Sequence, residues 1–385
     1  MIYLDNAAST QIHEDVLDAM LPYLKDQYGN PSSIHRYGRL ANKAVEKARK
    51  QIALLINADP SEIFLTSGGT ESNNMALWGI AAKKPSSKII TSSIEHDAIL
   101  EPCKKLAKNG FDIIYIPVDN RGIVNLDELK NSLSDDVCIV SIMFGNNEMG
   151  TIEPIAQIAQ MCNEQKILFH TDAVQAVGKI SIDVKQLGID LLSISSHKIN
   201  GPKGVGALYI RNGIDVDPLI LGGGQEHGLR SGTENVANIV GFGKACELAK
   251  LHLSENIFHM KKLRDNLVTK IIQEIPYVTL NGDTENRLPN NAHFTFLGVA
   301  GEDLIIKLDE YGIAASTGSA CSVHTQNASH VLQAMGFSHE QITGSLRLSL
   351  GVFNNQKQID ETVSILKKVT TELRSVSPFK EKYSF

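Results

Sequence analysis

Through the first two-thirds of the chain, short β-rich apolar runs alternate with amphipathic stretches. EIFLT is followed by a helical run from Thr70, KIITSS by Asp97 to Lys108, and DIIYIPV by Leu126 to Leu133. VCIVSIMF then precedes Ile155 to Gln165, ILFHTD precedes a short helical piece, and DLLSIS is followed by GALYI. Near-continuous apolar strands joined by helical crossovers predict an α/β fold with a mostly parallel sheet covered on both faces. In such sheets ligands gather at the carboxyl ends of the strands. Two long helical patterns, about Glu234 to Leu251 and Glu255 to Ile275, close this region. After Pro276 the pattern turns α+β, with strands near AHFTFL and SLRLSL, which predicts a domain boundary near residue 252. No Pro- or Ser-rich linker separates the parts, so they are expected to pack tightly.

A length of 385 residues suits two or three domains and a sizeable core. At 42% hydrophobic and 21% charged, the composition is that of a soluble globular chain. The net charge of -6 provides no basic footprint for nucleic acid. Cysteines 103, 138, 162, 246 and 321 are odd in number and contain no CxxC pair, against a disulfide framework or a zinc cluster and in favour of a reducing compartment. The N-terminal MIYLDNAAST does not read as a secretory or mitochondrial leader. No apolar run approaches the ~18 residues that span a bilayer. A cytoplasmic protein that engages no membrane is the expectation.

Four segments at strand ends carry candidate chemistry. In Ser67-Gly-Gly-Thr70-Glu-Ser-Asn-Asn74, paired glycines open a helix whose N-terminal N-H groups would seat a phosphate, although a simple side-chain cap explains the same residues. In HTDAVQ, Asp172 ends an apolar strand with Gln175 three residues on. Such a partly desolvated carboxylate needs a cationic or hydrogen-bonding partner, for which a protonated pyridine is suited; capping the next turn is the competing role. In SHKINGPKG, Lys198 is a candidate imine-forming amine, and spacing alone does not choose between it and Lys203. In STGSACS, small residues lead to Cys321 with His324 nearby, a setting that suits a reactive thiolate, whereas the other cysteines mostly fall in strand and helix patterns.

His96 follows a strand, Asn147 lies in Gly145-Asn-Asn-Glu148, and Arg347 sits inside the apolar SLRLSLG. A buried arginine is costly unless paired, so a bidentate carboxylate partner is expected, and a ligand would qualify. The glycine-dense Gly222 to Thr233 reads as a functional loop rather than a core element.

The order of these motifs, SGGTESNN, HTDAVQ, SHKINGPKG, GLRSGT and GSAC, resembles the cysteine desulfurases of the long-loop, iron-sulfur-cluster/nitrogen-fixation branch, in the class-V aminotransferase group of fold-type I pyridoxal-phosphate enzymes. The resemblance runs from Tyr3-Leu-Asp-Asn6 to Leu350-Gly351. It implies a fold-type I architecture, with a large cofactor-binding domain over 14–252 and a small α+β domain from 1–13 and 253–385 that carries the catalytic cysteine loop. It implies pyridoxal 5'-phosphate joined to Lys198, with Asp172 on the pyridinium nitrogen, Gln175 on the ring hydroxyl and His96 stacked on the ring. Gly69, Thr70, Ser195 and His197 would hold the phosphate. Thr233 would reach the phosphate site of a partner subunit, which implies a homodimer. Asn147 would lie near ring and substrate, and Arg347 would clamp the substrate carboxylate.

The activity so implied takes sulfur from L-cysteine, releases L-alanine and leaves a persulfide on Cys321 for an iron-sulfur scaffold or another sulfur-acceptor protein. No stable metal site is implied, although the Cys321 persulfide would be a transient iron ligand on such a scaffold. Two departures stand out: QNAS replaces the LEPS-like residues after the cysteine, and His227 stands where arginine is usual. Selenocysteine lyase shares nearly every motif. A catalytically silent docking protein on the same fold is disfavoured by the presence of both Lys198 and Cys321.

Overall fold

The seven strands predicted in the first two-thirds assemble into one sheet in the computed structural model, which describes residues 1–318, 329–378 and 383. Its order is Ile63–Thr66, Gly206–Ile210, Leu191–Ser195, Leu168–Asp172, Val137–Ser141, Lys88–Ser92 and Asp112–Ile116. The last five pair in parallel, whereas Gly206–Ile210 runs antiparallel to both neighbours. That reversal has a simple cause. Only residues 196–205 separate it from Leu191–Ser195, fewer than the dozen or so that a parallel crossover needs.

Strands Val137–Ser141, Leu191–Ser195 and Gly206–Ile210 are buried at every position, which is why they read as continuous apolar runs rather than alternating ones. Leu191 packs with Met75, Leu77 and Ile99 on one face, while Leu192 and Ile194 pack with Ile52 and Phe242 on the other. Helix Asp97–Lys108 has the predicted bounds, and Cys103 is buried within it. The two long helices begin at Val236, capped by Asn235, and at Leu253. Two helices precede the first predicted strand, Glu14–Lys25 and Arg36–Ile56, and the latter packs along Val236–Leu251.

A second core joins Ile2 and Leu4 to Leu263, Phe294, Leu346 and Leu366. Its frame is an antiparallel sheet of Ser345–Ser349, Asn291–Phe296 and Val278–Leu280. Ile2–Tyr3 pairs in parallel with Ile313–Ala314, and Asp5 bridges to Ser349. The N-terminal segment therefore starts in this second core and then runs to the carboxyl ends of the large sheet. Among the described residues no helix is long and apolar enough to cross a membrane.

Candidate active site

Asp172 lies at the carboxyl end of a central parallel strand and is buried. Val174 N–H donates to its Oδ1 at 2.9 Å, so it does cap the following turn, but its Oδ2 accepts from Asn73 Nδ2 at 2.6 Å. Both expected roles thus share one carboxylate, with one oxygen for each. Three residues on, Gln175 Nε2 donates to the Ala7 carbonyl at 2.9 Å.

Lys198 Nζ reaches the same N-terminal segment, donating to the carbonyls of Ala7 (2.5 Å) and Ala8 (2.7 Å). Thr10 secures this segment through N–H and Oγ1 bonds to the His197 carbonyl, and His197 Nδ1 lies 3.2 Å from Ser9 Oγ. Burial and the ammonium groups of Lys198, Lys203 and Lys179 pull the His197 imidazole down to about 4, so the ring is neutral near pH 7. The structure separates the two lysines that spacing left open: Lys203 is exposed, whereas Lys198 is half-buried and turned to Ala7 and Ala8.

The glycine pair behaves as a cradle. Gly68 has φ +153° and serves as N-cap of Gly69–Ala81 without any side-chain cap bond, which removes the capping explanation for this motif. The first N–H groups of that helix are therefore left for another acceptor. A Cβ at Gly69 would come within 2.7 Å of Val174 Cγ2, and one at Gly206 within 2.7 Å of Gly68 Cα. Buried Ser195 is beside the cradle, and exposed Thr70 follows it.

His96 is the N-cap of Asp97–Lys108: its Nδ1 accepts from Ala98 N–H at 3.0 Å, leaving the proton on Nε2. Arg347 is 2% exposed. Its carboxylate partner is Asp5, and the contact is a single bond from NH2 to Oδ1 at 2.8 Å rather than the bidentate pair expected. The other terminal nitrogen is shared by the carbonyls of Asn147 (2.9 Å) and Gly318 (3.0 Å), so a fork contact to Asp5 is not available. Arg347 Nε has no hydrogen-bond partner among the described residues. Thr233 is exposed, in a loop tied down by Arg230 to Glu71 at 2.7 Å and by Arg49 to Glu226 at 2.7 Å, and it does not join the buried group. Cys321, His324 and the QNAS segment lie outside the described residues.

Sequence reasoning missed five participants: Asn73, Asp5, Lys179 and the carbonyls of Ala7 and Ala8. Asn73 stood within a quoted motif and Asp5 at the start of the resemblance, but a backbone carbonyl has no side-chain signature. Lys179 carried no motif; it is 4% exposed and donates to Gln175 O at 3.0 Å and Gln175 Oε1 at 3.3 Å. Burial, with Lys198 and Arg347 adding repulsion, pulls its amine down to about 7.

These residues fit pyridoxal 5'-phosphate on their own chemistry. An uncapped helix N-terminus beside a Cβ-free cradle suits a phosphate, a buried carboxylate suits a ring cation, and Lys198, held on the Ala7 carbonyl that Gln175 also bonds, supplies a half-buried amine.

The aminotransferase class-V family model matches residues 2–362. The chain is 49% identical to the cysteine desulfurase IscS of Dictyoglomus turgidum over 384 residues, which is 99% of this chain and 98% of that one. It is likewise 49% identical to cysteine desulfurase IscS of Methanosarcina thermophila, over 99% of this chain and 95% of the other. Among solved structures, a NifS-like protein superimposes with a TM-score of 0.90 at 41% identity, covering 97% of this chain and 100% of that one. SspA in complex with cysteine does so with a TM-score of 0.82 at 37% identity, covering 92% and 100%. Near-complete coverage in both directions, on a fold whose strand ends carry the motifs in order, has one conclusion: the chain belongs to the class-V aminotransferase family and, within it, to the pyridoxal-phosphate-dependent cysteine desulfurases.

Proposed function

We propose that this protein removes sulfur from L-cysteine, releases L-alanine and carries the sulfur as a persulfide on Cys321. The observation that supports it most directly is that Lys198, Asp172 with its Asn73 bond, and the uncapped glycine cradle all lie at strand ends of the large sheet. Bound pyridoxal 5'-phosphate supplies an electron sink for the substrate Cα. Gly69, Thr70, Ser195 and His197 would hold its phosphate, Asp172 would pair with its ring nitrogen, Gln175 with its hydroxyl, and His96 would stack on the ring. Lys198 Nζ takes the Cα proton and later returns one. Arg347, with Asn147 alongside, binds the substrate carboxylate.

Cys321 acts as thiolate. Its sulfur bonds to the substrate sulfur as the carbon–sulfur bond breaks, and the electron pair left on carbon takes a proton to give alanine. The net change is L-cysteine plus enzyme thiol to L-alanine plus enzyme persulfide, with no external oxidant. The outer sulfur then passes to an acceptor protein by thiol exchange, either for iron-sulfur cluster assembly or for thio-modification. Cys103, Cys138, Cys162 and Cys246 are buried and free, and burial pushes each thiol up, which favours a role for the remaining cysteine.

We also read the chain as a cytoplasmic homodimer, with exposed Thr233 reaching the partner's phosphate site, and as two domains over 14–252 and over 1–13 with 253–385. The separate cores around Phe242 and Phe294 support that division.

The test compares wild type, Lys198→Ala and Cys321→Ser. Borohydride should fix the cofactor covalently in wild type and Cys321→Ser but not in Lys198→Ala. Cys321→Ser should lose persulfide formation and sulfur delivery, and undiminished delivery would sink the nucleophile. Turnover on cysteine against selenocysteine separates the lyase reading.

A further inference from the structure

Lys179 has no part in the reaction as described, yet it is buried directly behind Gln175. Its ammonium head carries donors only, and even the neutral amine has two N–H groups. Both are committed: one to the Gln175 carbonyl at 3.0 Å, the other to the Gln175 side-chain oxygen at 3.3 Å. The amide therefore has a fixed sense. With Oε1 turned to Lys179, Nε2 must face the opposite way, and there it donates to the Ala7 carbonyl that Lys198 also holds. Gly178, at φ +73°, makes the turn that delivers Lys179; a Cβ there would come within 2.7 Å of Ile199 Cγ2, so the turn has little freedom to move. Lys179 and Lys198 also line one cavity of about 290 Å³, together with His13, Asn200 and Phe353.

We propose that Lys179 is a positioning residue that locks the Gln175 amide so that this site presents an N–H, and not a carbonyl, to the hydroxyl oxygen of the cofactor ring. The inference rests on the cofactor reading above. A glutamine alone has two nearly isosteric orientations, of which one would set its carbonyl against an electron-rich oxygen. With its N–H groups engaged by both Gln175 oxygens, Lys179 disfavours the second orientation without touching the ring. It acts on Lys198 only indirectly, through the hydrogen bonding of the group that Lys198 serves.

The test loads purified protein with pyridoxal 5'-phosphate and follows the pH midpoint of its visible band, together with the cofactor's dissociation constant. Lys179→Met should raise the midpoint by about one pH unit and weaken binding by about tenfold, the size of one lost hydrogen bond. Lys179→Arg, which keeps a donor-only head, should restore most of both. In a Gln175→Met background, where no amide remains to be oriented, Lys179→Met should cause no further shift. An unmoved midpoint in Lys179→Met overturns the inference, as does an equal shift in the Gln175→Met background, which would mark a through-space charge effect. Should Lys179→Met fail to fold, Lys179→Gln, whose amide is too short to reach Gln175, carries the same expectations. A wild-type protein with no visible band would instead sink the cofactor reading itself.

Discussion

Asn73, one turn into the helix Gly69–Ala81, donates its side-chain N–H to Oδ2 of Asp172 across the strand-to-helix junction at 2.6 Å. The bond ties the helix that opens at the glycine cradle to the Asp172 carboxylate, so in the proposed function the two groups that would anchor the cofactor are held at a fixed separation. Asn73 is 1% exposed, so this bond is shielded from solvent.

Asn73→Ala should therefore weaken pyridoxal 5'-phosphate binding by roughly ten- to a hundredfold, since a buried acceptor that loses its donor costs about 1–3 kcal/mol. Cofactor titration by absorbance measures this. An unchanged dissociation constant would mean that the Val174 N–H alone orients Asp172.

Arg347→Lys should raise KM for L-cysteine at least tenfold while leaving the visible cofactor band in place. The lysine keeps the charge near Asp5 but cannot bridge Asp5, the Asn147 carbonyl and a substrate carboxylate together. Steady-state kinetics beside an absorption spectrum separates the two effects, and an unchanged KM would remove Arg347 from substrate binding.

Glu226→Gln should destabilise the fold without altering the cofactor spectrum. Arg49 and Glu226 form a two-bond pair (2.7 and 2.8 Å) with both side chains buried, and Glu226 also accepts from Leu65 N–H. Breaking a buried pair from one side leaves an uncompensated charge, at a cost of about 3–5 kcal/mol. Denaturant unfolding should show a lower midpoint; a midpoint equal to wild type would mean that Arg49 finds another partner.

Glu153→Gln should flatten the pH dependence of stability. Burial pushes the Glu153 carboxyl up to about 8, and only Val124 N–H, at 3.0 Å, offsets it. In the unfolded chain the same group titrates near the ordinary value of about 4.3. The folded state thus holds the proton more tightly: this contribution is complete below about pH 4 and is lost as pH rises through 8. The variant's advantage in melting temperature over wild type should grow from pH 5 to 8 and then level off. A gap that does not vary with pH would assign the titration to another group.

The sheet and much of the site were legible in the sequence because their causes are local. Buried central strands must be apolar throughout, and a helix that starts at a bare glycine pair is visible as such. The antiparallel sense of Gly206–Ile210 was not legible, because apolar pattern carries no direction; the short connection from Ser195 decides it. Glu14–Lys25 and Arg36–Ile56 escaped for want of a neighbouring strand to mark them. The Ala7 and Ala8 carbonyls were invisible because any residue has one. Lys179 was invisible because the burial of a lysine in a turn is a tertiary fact.

The path of the N-terminal segment has a consequence for how the protein is made. Ala7 N–H bonds to Ser349 Oγ, 342 positions later, and the Leu4 carbonyl accepts from Ser349 N–H. At about 5–20 residues per second, a ribosome needs roughly 17–70 s to supply that partner after the segment emerges. Throughout that interval the acceptors for Lys198 and Gln175 belong to a turn whose anchoring partner at Ser349 does not yet exist. The large sheet can form during synthesis, but the catalytic centre closes only when the last strand arrives. Truncated or stalled chains should then accumulate folded and inactive, which spares the cell a half-built enzyme that releases sulfur.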